Sequence, residues 1–98
     1  MEMRDLRSAL RALSDTARLR IIQYLANYDG EITVSDLTKA LRISQPLASW
    51  HLRKLRAAQL VSTRRVGRQV FCSLNRTRVA DLSVFLASWS ERHAAVVR

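Results

Sequence analysis

The sequence predicts a mainly α-helical domain in the order α-α-α-α-β-β-α. Apolar residues recur at helical spacing from Met3 to about Ala57 and again from about Thr77 to His93. Between these stretches, LVSTRRV and RQVFCSL alternate and are rich in Val, Thr and Phe, with Gly67 between them. Punctuation is sparse: Gly30, Gly67 and Pro46 are the only Gly and Pro in 98 residues, which suits long helices and few loops. A chain of this length makes one domain, residues 1–98, with a modest core.

Met3, Leu6, Leu10 and Leu13 are spaced three, four and three apart with Arg4, Arg7 and Arg11 between them, an amphipathic first helix with a narrow apolar seam. Ser14 and Asp15 are capping types, so a second helix starts there. Its apolar set is Leu19, Ile22, Leu25 and Ala26, broadened by Ile21, and Asn27 to Glu31 reads as the loop that ends it. A third helix covers about Val34 to Arg42, beginning at Thr33 or Ser35 and burying Val34, Leu37 and Leu41. Arg42, Ile43 and Ser44 leave room only for a tight turn. Ser44 then caps a fourth helix that tolerates Pro46 in its first turn. Ala48, Leu52 and Leu55 face the core from that helix. Gln45, Ser49, Trp50, Arg53, Lys54 and Arg56 stay outside.

The hairpin that follows places Val61, Val70 and either Cys72 or Phe71 toward the body, and Arg64, Arg65, Arg68 and Gln69 at a basic tip. The last helix carries Val79, Leu82, Phe85, Leu86 and Trp89 on one face and runs to His93. Two short helices, a tight turn and a polar second helix make residues 33–57 a helix-turn-helix. With residues 60–74 as the wing, the fold is a winged helix-turn-helix.

Charge is distributed unevenly along this chain. From Arg42 to Arg78 there are nine bases (Arg42, Arg53, Lys54, Arg56, Arg64, Arg65, Arg68, Arg76, Arg78) and no acid. Residues 1–41 hold six bases and six acids, and Arg92 and Arg98 balance Asp81 and Glu91, so the formal charge of +9 sits in one block. Such a block can be a solvated surface. Here it falls on a recognition helix and a hairpin tip, the footprint of a polyanion-binding surface. At 48% apolar the chain is a folded protein and not a disordered basic tail. The lone Cys72 excludes an intrachain disulfide and fits a reducing cytoplasm. No apolar run approaches the ~20 residues of a membrane span, and no signal-peptide core is present. There is no Gly-rich phosphate loop and no nucleophile paired with a base, so no enzyme and no cofactor are expected.

The chain resembles the ArsR (SmtB-like) family of bacterial winged-helix repressors. Leu13 to Leu25, LSDTARLRIIQYL, is similar to that family's second-helix signature. Ser44 to Val61, SQPLASWHLRKLRAAQLV, matches the family's S-Q-x-x-x-S-x-H-L-x-x-L-x-x-x-G-L-V, with Gln59 where Gly is usual and a looser turn expected there. The resemblance implies a homodimer paired through the first and last helices, repressing a palindromic operator until a signal releases it. One type of family metal site uses a C-V-C triplet, where this chain has Thr33-Val34-Ser35. A second uses Asp, His, His and Glu, where this chain has about Asn75, Thr77, Ser88 and Glu91. Hydroxyls do not replace thiolates for soft metals, so no metal is expected.

Double-stranded DNA and a second copy of the chain are therefore the expected partners, with no membrane. The DNA-facing set is Ser44, Gln45, Pro46, Leu47, Ser49, Trp50, His51, Arg53 and Lys54 on the helix, with Arg64, Arg65 and Arg68 on the hairpin. Gln45 and Ser49 are the base-edge readers. Arg53, Arg64, Arg65 and Arg68 position the protein on phosphates and the minor groove. Trp50 either packs on a sugar or thymine methyl or tucks against the domain beside the hairpin. His51 is a satisfied, partly buried hydrogen-bonding residue or a phosphate contact, and Cys72 a small buried hydrophobe or a redox switch. Met3, Leu6, Leu10, Leu13, Leu82, Phe85, Leu86 and Trp89 form the dimer face. The rival function is a winged-helix protein-interaction module or a non-specific architectural DNA binder.

Overall fold

A computed structural model describes residues 1–91 of the chain. Helices α1 (Met3–Leu13) and α2 (Thr16–Ala26) lead into a two-residue strand β1 (Ile32–Thr33). Helices α3 (Val34–Leu41) and α4 (Gln45–Ala57) follow, then β2 (Val61–Val66), β3 (Gln69–Leu74) and α5 (Arg76–Ser88). Helices α3 and α4 form a helix-turn-helix, and β2 and β3 form the wing. The predicted order lacks β1, so the sheet has three antiparallel strands, ordered β1-β3-β2. Two residues are too few to show alternation. Pairing with β3 makes them a strand, Ile32 opposite Cys72 and Thr33 opposite Phe71.

Each helix start rests on a local cap. The Asp15 carboxylate accepts from the Arg18 backbone N–H at 3.1 Å and opens α2. Thr33 Oγ1 accepts from Asp36 N–H at 3.1 Å for α3, and Ser44 Oγ from Leu47 N–H at 3.3 Å for α4. These side chains satisfy donors that have no partner within the helix. The α3–α4 turn closes on Arg42, which takes a left-handed conformation at φ 56. Arg20 then donates to the Leu41 carbonyl at 2.8 Å, tying α2 to the end of α3. Asn75 caps α5 and also donates to the Gln59 carbonyl at 2.9 Å.

The core gathers Leu6, Ala9 and Ala12 of α1, Ile21 and Leu25 of α2, and Leu37 and Leu41 of α3. Ala48, Leu52 and Leu55 of α4 join them, with Leu60, Val61 and Cys72 from the wing. Several expected faces are turned. In α1 the seam of leucines divides: Leu6 is buried while Met3 and Leu10 are exposed, because Ala9 and Ala12 carry the packing. Small residues let α1 approach its neighbours closely, which rotates the buried stripe toward them. In α2 the buried pair is Ile21 and Leu25, and Leu19 is exposed. On the hairpin Cys72 is fully buried, whereas Phe71 lies on the other face and Val70 is half-buried at the rim. The α5 helix ends at Ser88, short of the expected His93, which itself lies outside the described residues.

Leu6 and Leu82 must be withdrawn from the dimer face. They are 2% and 8% exposed and belong to the protomer's own core. Met3, Leu10 and Trp89 remain exposed, Leu13, Phe85 and Leu86 are half-buried, and Val84, unforeseen, is 71% exposed beside them in sequence. No described helix is long and apolar enough to cross a membrane.

Candidate nucleic-acid interface

Between α4 and the wing lies an open cleft of about 490 Å³. From α4 it is lined by Gln45, Ser49, Leu52, Arg53 and Arg56, whose spacings of four, three, one and three keep them on one side of the helix. Thr63, Arg65, Arg68, Gln69 and Val70 line it from the wing, and Thr33, Val34 and Ser35 close its end. Among the described residues, four arginines face this cleft and no carboxylate lines it. Arg56 donates to Thr63 Oγ1 at 3.1 Å, fixing one of the four across from helix to strand. The wing turn is Gly67-Arg68, where Gly67 takes φ +61, a left-handed angle that a side chain would strain.

This geometry brings together Gln45, Ser49, Arg53, Arg65 and Arg68 of the expected set. Arg56, Thr63 and Gln69 were missing from it. Arg56 was findable, three residues beyond Arg53 on the same polar face. Ser44 has its hydroxyl engaged as the cap of α4, and Pro46 and Leu47 are exposed in the first turn.

Of the two readings of His51 the structure fits the buried, hydrogen-bonded one: it is 4% exposed, which removes it from the DNA-facing set. Its Nδ1 accepts from Arg18 Nε at 3.2 Å, which makes it an internal link between α2 and α4. Arg64 is not at the tip. It sits in mid-strand opposite Phe71, with its guanidinium 5.1 Å from that ring's centroid. It donates to both Glu31 carboxylate oxygens, at 3.1 and 2.7 Å. That bidentate bond holds the Glu31 carboxyl below its ordinary value and raises the Arg64 guanidinium.

Internal work also occupies Arg76 and Arg78. Arg76 donates to the Ala26 and Tyr28 carbonyls at 3.2 and 3.4 Å. Arg78 donates to the Ala58 carbonyl at 3.4 Å and stands 3.6 Å from Asp5. Asp5 is held below its ordinary value, first by the Glu2 backbone N–H it accepts and then by the Arg78 charge. The count of nine bases therefore overstates the charge offered to a ligand.

Trp50 is 42% exposed, with Arg18 Cζ 5.2 Å and Lys54 Nζ 5.3 Å from its ring centroid and the His51 ring edge-on at 5.2 Å. It stands on α4 away from the cleft lining. Cys72 is buried, its Sγ donates to the Ile32 carbonyl at 3.5 Å, and burial pushes its thiol up to about 11. It packs in the core as a small hydrophobe. Among the described residues no three His, Cys, Asp or Glu side chains gather as metal ligands would. Thr33 and Asn75, at the positions of family metal ligands, serve as helix caps.

Residues 15–63, half of the chain, match the sequence model of the bacterial regulatory protein, arsR family. The chain is 44% identical over 71 residues to a transcriptional repressor SmtB homolog of Synechocystis sp., covering 72% of this chain and 52% of that protein. It is 34% identical over 82 residues to the arsenical resistance operon repressor of Staphylococcus aureus, covering 84% and 77%. Thus it spans about half the length of the first relative and about three quarters of the second. An ArsR-like transcriptional regulator from Rhodococcus sp. RHA1 superposes with a TM-score of 0.76 at 29% identity, covering 94% of this chain and 89% of that one. Sequence, fold and cleft agree, and the protein belongs to the arsR family of bacterial regulatory proteins.

Proposed function

We propose that the protein is a sequence-specific transcriptional repressor that binds a palindromic DNA operator as a homodimer. The observation that carries this is the cleft: four arginines, Gln45 and Ser49 on the facing sides of α4 and the wing, with no carboxylate among the lining residues. An α-helix fits the major groove, where Gln45 and Ser49 have the donors and acceptors to read base edges. Arg53, Arg56, Arg65 and Arg68 supply phosphate contacts that set position and affinity. The exposed Met3, Leu10 and Trp89 supply apolar surface for a second copy, as α5 buries only Leu82 fully within the protomer. The Synechocystis and Staphylococcus relatives are described as repressors, which supports the direction of regulation.

In the dimer, two α4 helices would enter successive major grooves about 34–36 Å apart. Eight cleft arginines per dimer, four from each copy, predict a fall in affinity of about 10⁴ between 50 and 200 mM salt.

The test is selection of bound duplexes from a random pool, with and without dithiothreitol, EDTA or added zinc. A palindrome with half-sites one helical turn apart, enriched in every condition, is the expected result. Salt-sensitive binding to all sequences, with no site enriched, would replace the repressor by an architectural or interaction module.

A further inference from the structure

We propose that Leu47 and Trp50 form an apolar reading edge on α4 for thymine methyl groups, and that Arg18 of α2 positions Trp50 for that task. The inference rests on the DNA-binding reading above and names part of what the helix recognises.

The solvent side of α4 has two chemistries. Gln45, Ser49, Arg53 and Arg56 turn toward the wing. Leu47 and Trp50, 44% and 42% exposed, stand outside that lining. They are three residues apart, so their side chains neighbour one another on the helix surface. Trp50 lies two positions beyond fully buried Ala48, about 200° around the axis and so opposite the core. A large indole directed away from the core, on a helix built to enter a groove, calls for an apolar contact in the partner.

What surrounds the indole argues that its placement is fixed. Arg18 and Lys54 each bring a cation within cation–π range of the ring, and the His51 imidazole packs edge-on. Arg18 is itself tied down. Its Nε donates to His51 Nδ1 at 3.2 Å, and its Nη1 to the Ala12 carbonyl at 3.4 Å. Its backbone N–H is held by the Asp15 cap. A side chain ordered before binding loses less entropy on binding. Two cations beside the ring also disfavour a basic partner surface, including a second copy of this face, and favour a polyanion. Within the major groove of unmodified DNA, the apolar group on offer is the C5-methyl of thymine.

Replacing single thymines by uracil in the selected operator removes one methyl at a time, and affinity is then measured for the wild-type protein and for Trp50→Ala, Leu47→Ala, Arg18→Met and Arg18→Lys. One or two positions in each half-site should lose about fourfold for the wild-type protein, the worth of one buried methyl. Trp50→Ala should bind thymine and uracil equally at one of these positions, and Leu47→Ala at its neighbour. Arg18→Met should lower the thymine-to-uracil ratio at the Trp50 position, while Arg18→Lys, which keeps a cation, restores part of it. A merely structural Arg18 would weaken both duplexes alike. Trp50→Phe, an apolar ring of smaller size, keeps part of the ratio and guards against misfolding of the alanine variant. Equal uracil penalties in wild-type and variant proteins, or no penalty anywhere, would overturn the inference while leaving the repressor intact. Failure to select any operator would sink both.

Discussion

The α4–wing cleft and the outer face of α1 and α5 are both open to solvent, and they are built from opposite residues. Arginines, Gln45 and Ser49 line the first, with no carboxylate among them. The second exposes Met3 and Leu10 of α1 and Trp89 of α5, with Phe85 packed edge-on to Trp89 at 6.0 Å, while Val84 stands on another side of α5. An exposed apolar face gains from meeting its own copy, because burial removes it from water and brings no like charges together. Four arginines facing a copy of themselves would repel, and they need a polyanion instead. On the proposed reading, one small protomer separates self-recognition from ligand recognition by chemistry alone.

Breaking the apolar face should have the largest effect. Leu10→Glu with Trp89→Glu puts charge on exposed positions, so the protomer should still fold. We expect monomers by sedimentation and a loss of about 100-fold or more in operator affinity, because the second half-site no longer binds as part of one molecule. Dimers that persist in this variant would place the interface elsewhere.

Within the cleft the comparison sharpens into reading against positioning. Gln45→Ala should lower affinity for the operator by about 1–3 kcal/mol and leave random duplex affinity nearly unchanged. Arg65→Gln should weaken both sequences alike and reduce the salt slope by about 0.9 per half-site. Equal losses on operator and random DNA for both variants would dissolve that division.

Arg64, one residue away from Arg65, supplies the counterpart. Its charge is matched by Glu31, so the charge-neutral pair Glu31→Gln with Arg64→Gln should leave the salt slope at its wild-type value. The pH dependence has a definite sign. The Glu31 carboxyl is depressed below its ordinary 4.5 by the Arg64 hydrogen bond. Its contribution to stability is present above that ordinary value and disappears as pH falls through the lower folded value. Both partners are exposed, so the effect is small. Titration of the Glu31 carboxyl by NMR should show its midpoint rising toward 4.5 in Arg64→Met, and an unmoved midpoint would deny the pair in solution.

These pairings also mark what a sequence can and cannot show. Ser44 was legible as a cap, and Asp15 and Thr33 each as one of two candidates beside Ser14 and Ser35, because a cap bonds three residues ahead. The wing was legible because its alternation runs over six residues in each strand. Glu31 with Arg64, and Arg18 with His51, are each separated by 33 residues, and no local pattern joins them. So a basic run looked uniformly available, and His51 looked able to reach DNA. The α1 seam was misjudged for another reason: Ala9 and Ala12 are weak hydrophobic signals, yet they are the residues small enough to pack closest. Local chemistry survives in the sequence, while which charges are already matched is decided by the fold.

The smallest expected effect concerns the joint between scaffold and cleft. Gln59, where the family usually has Gly, was expected to loosen the turn after α4. Instead it takes φ +62, the left-handed angle a glycine would adopt. Leu60 N–H still reaches the Leu55 carbonyl at 2.9 Å, and Gln59 N–H the Arg56 carbonyl at 2.9 Å. The turn is as closed as a glycine would make it, and the cost moves into backbone strain of about 1–2 kcal/mol. Gln59→Gly should relieve that strain, but glycine adds about 0.5–1 kcal/mol of unfolded-state entropy. The second offsets about half of the first, leaving a net gain of about 0.5–1 kcal/mol, readable as a rise of a few degrees in Tm. DNA affinity should not change, because the wing already sits in the glycine-like geometry. A lower Tm would mean that the Gln59 side chain, and not its backbone, holds the turn.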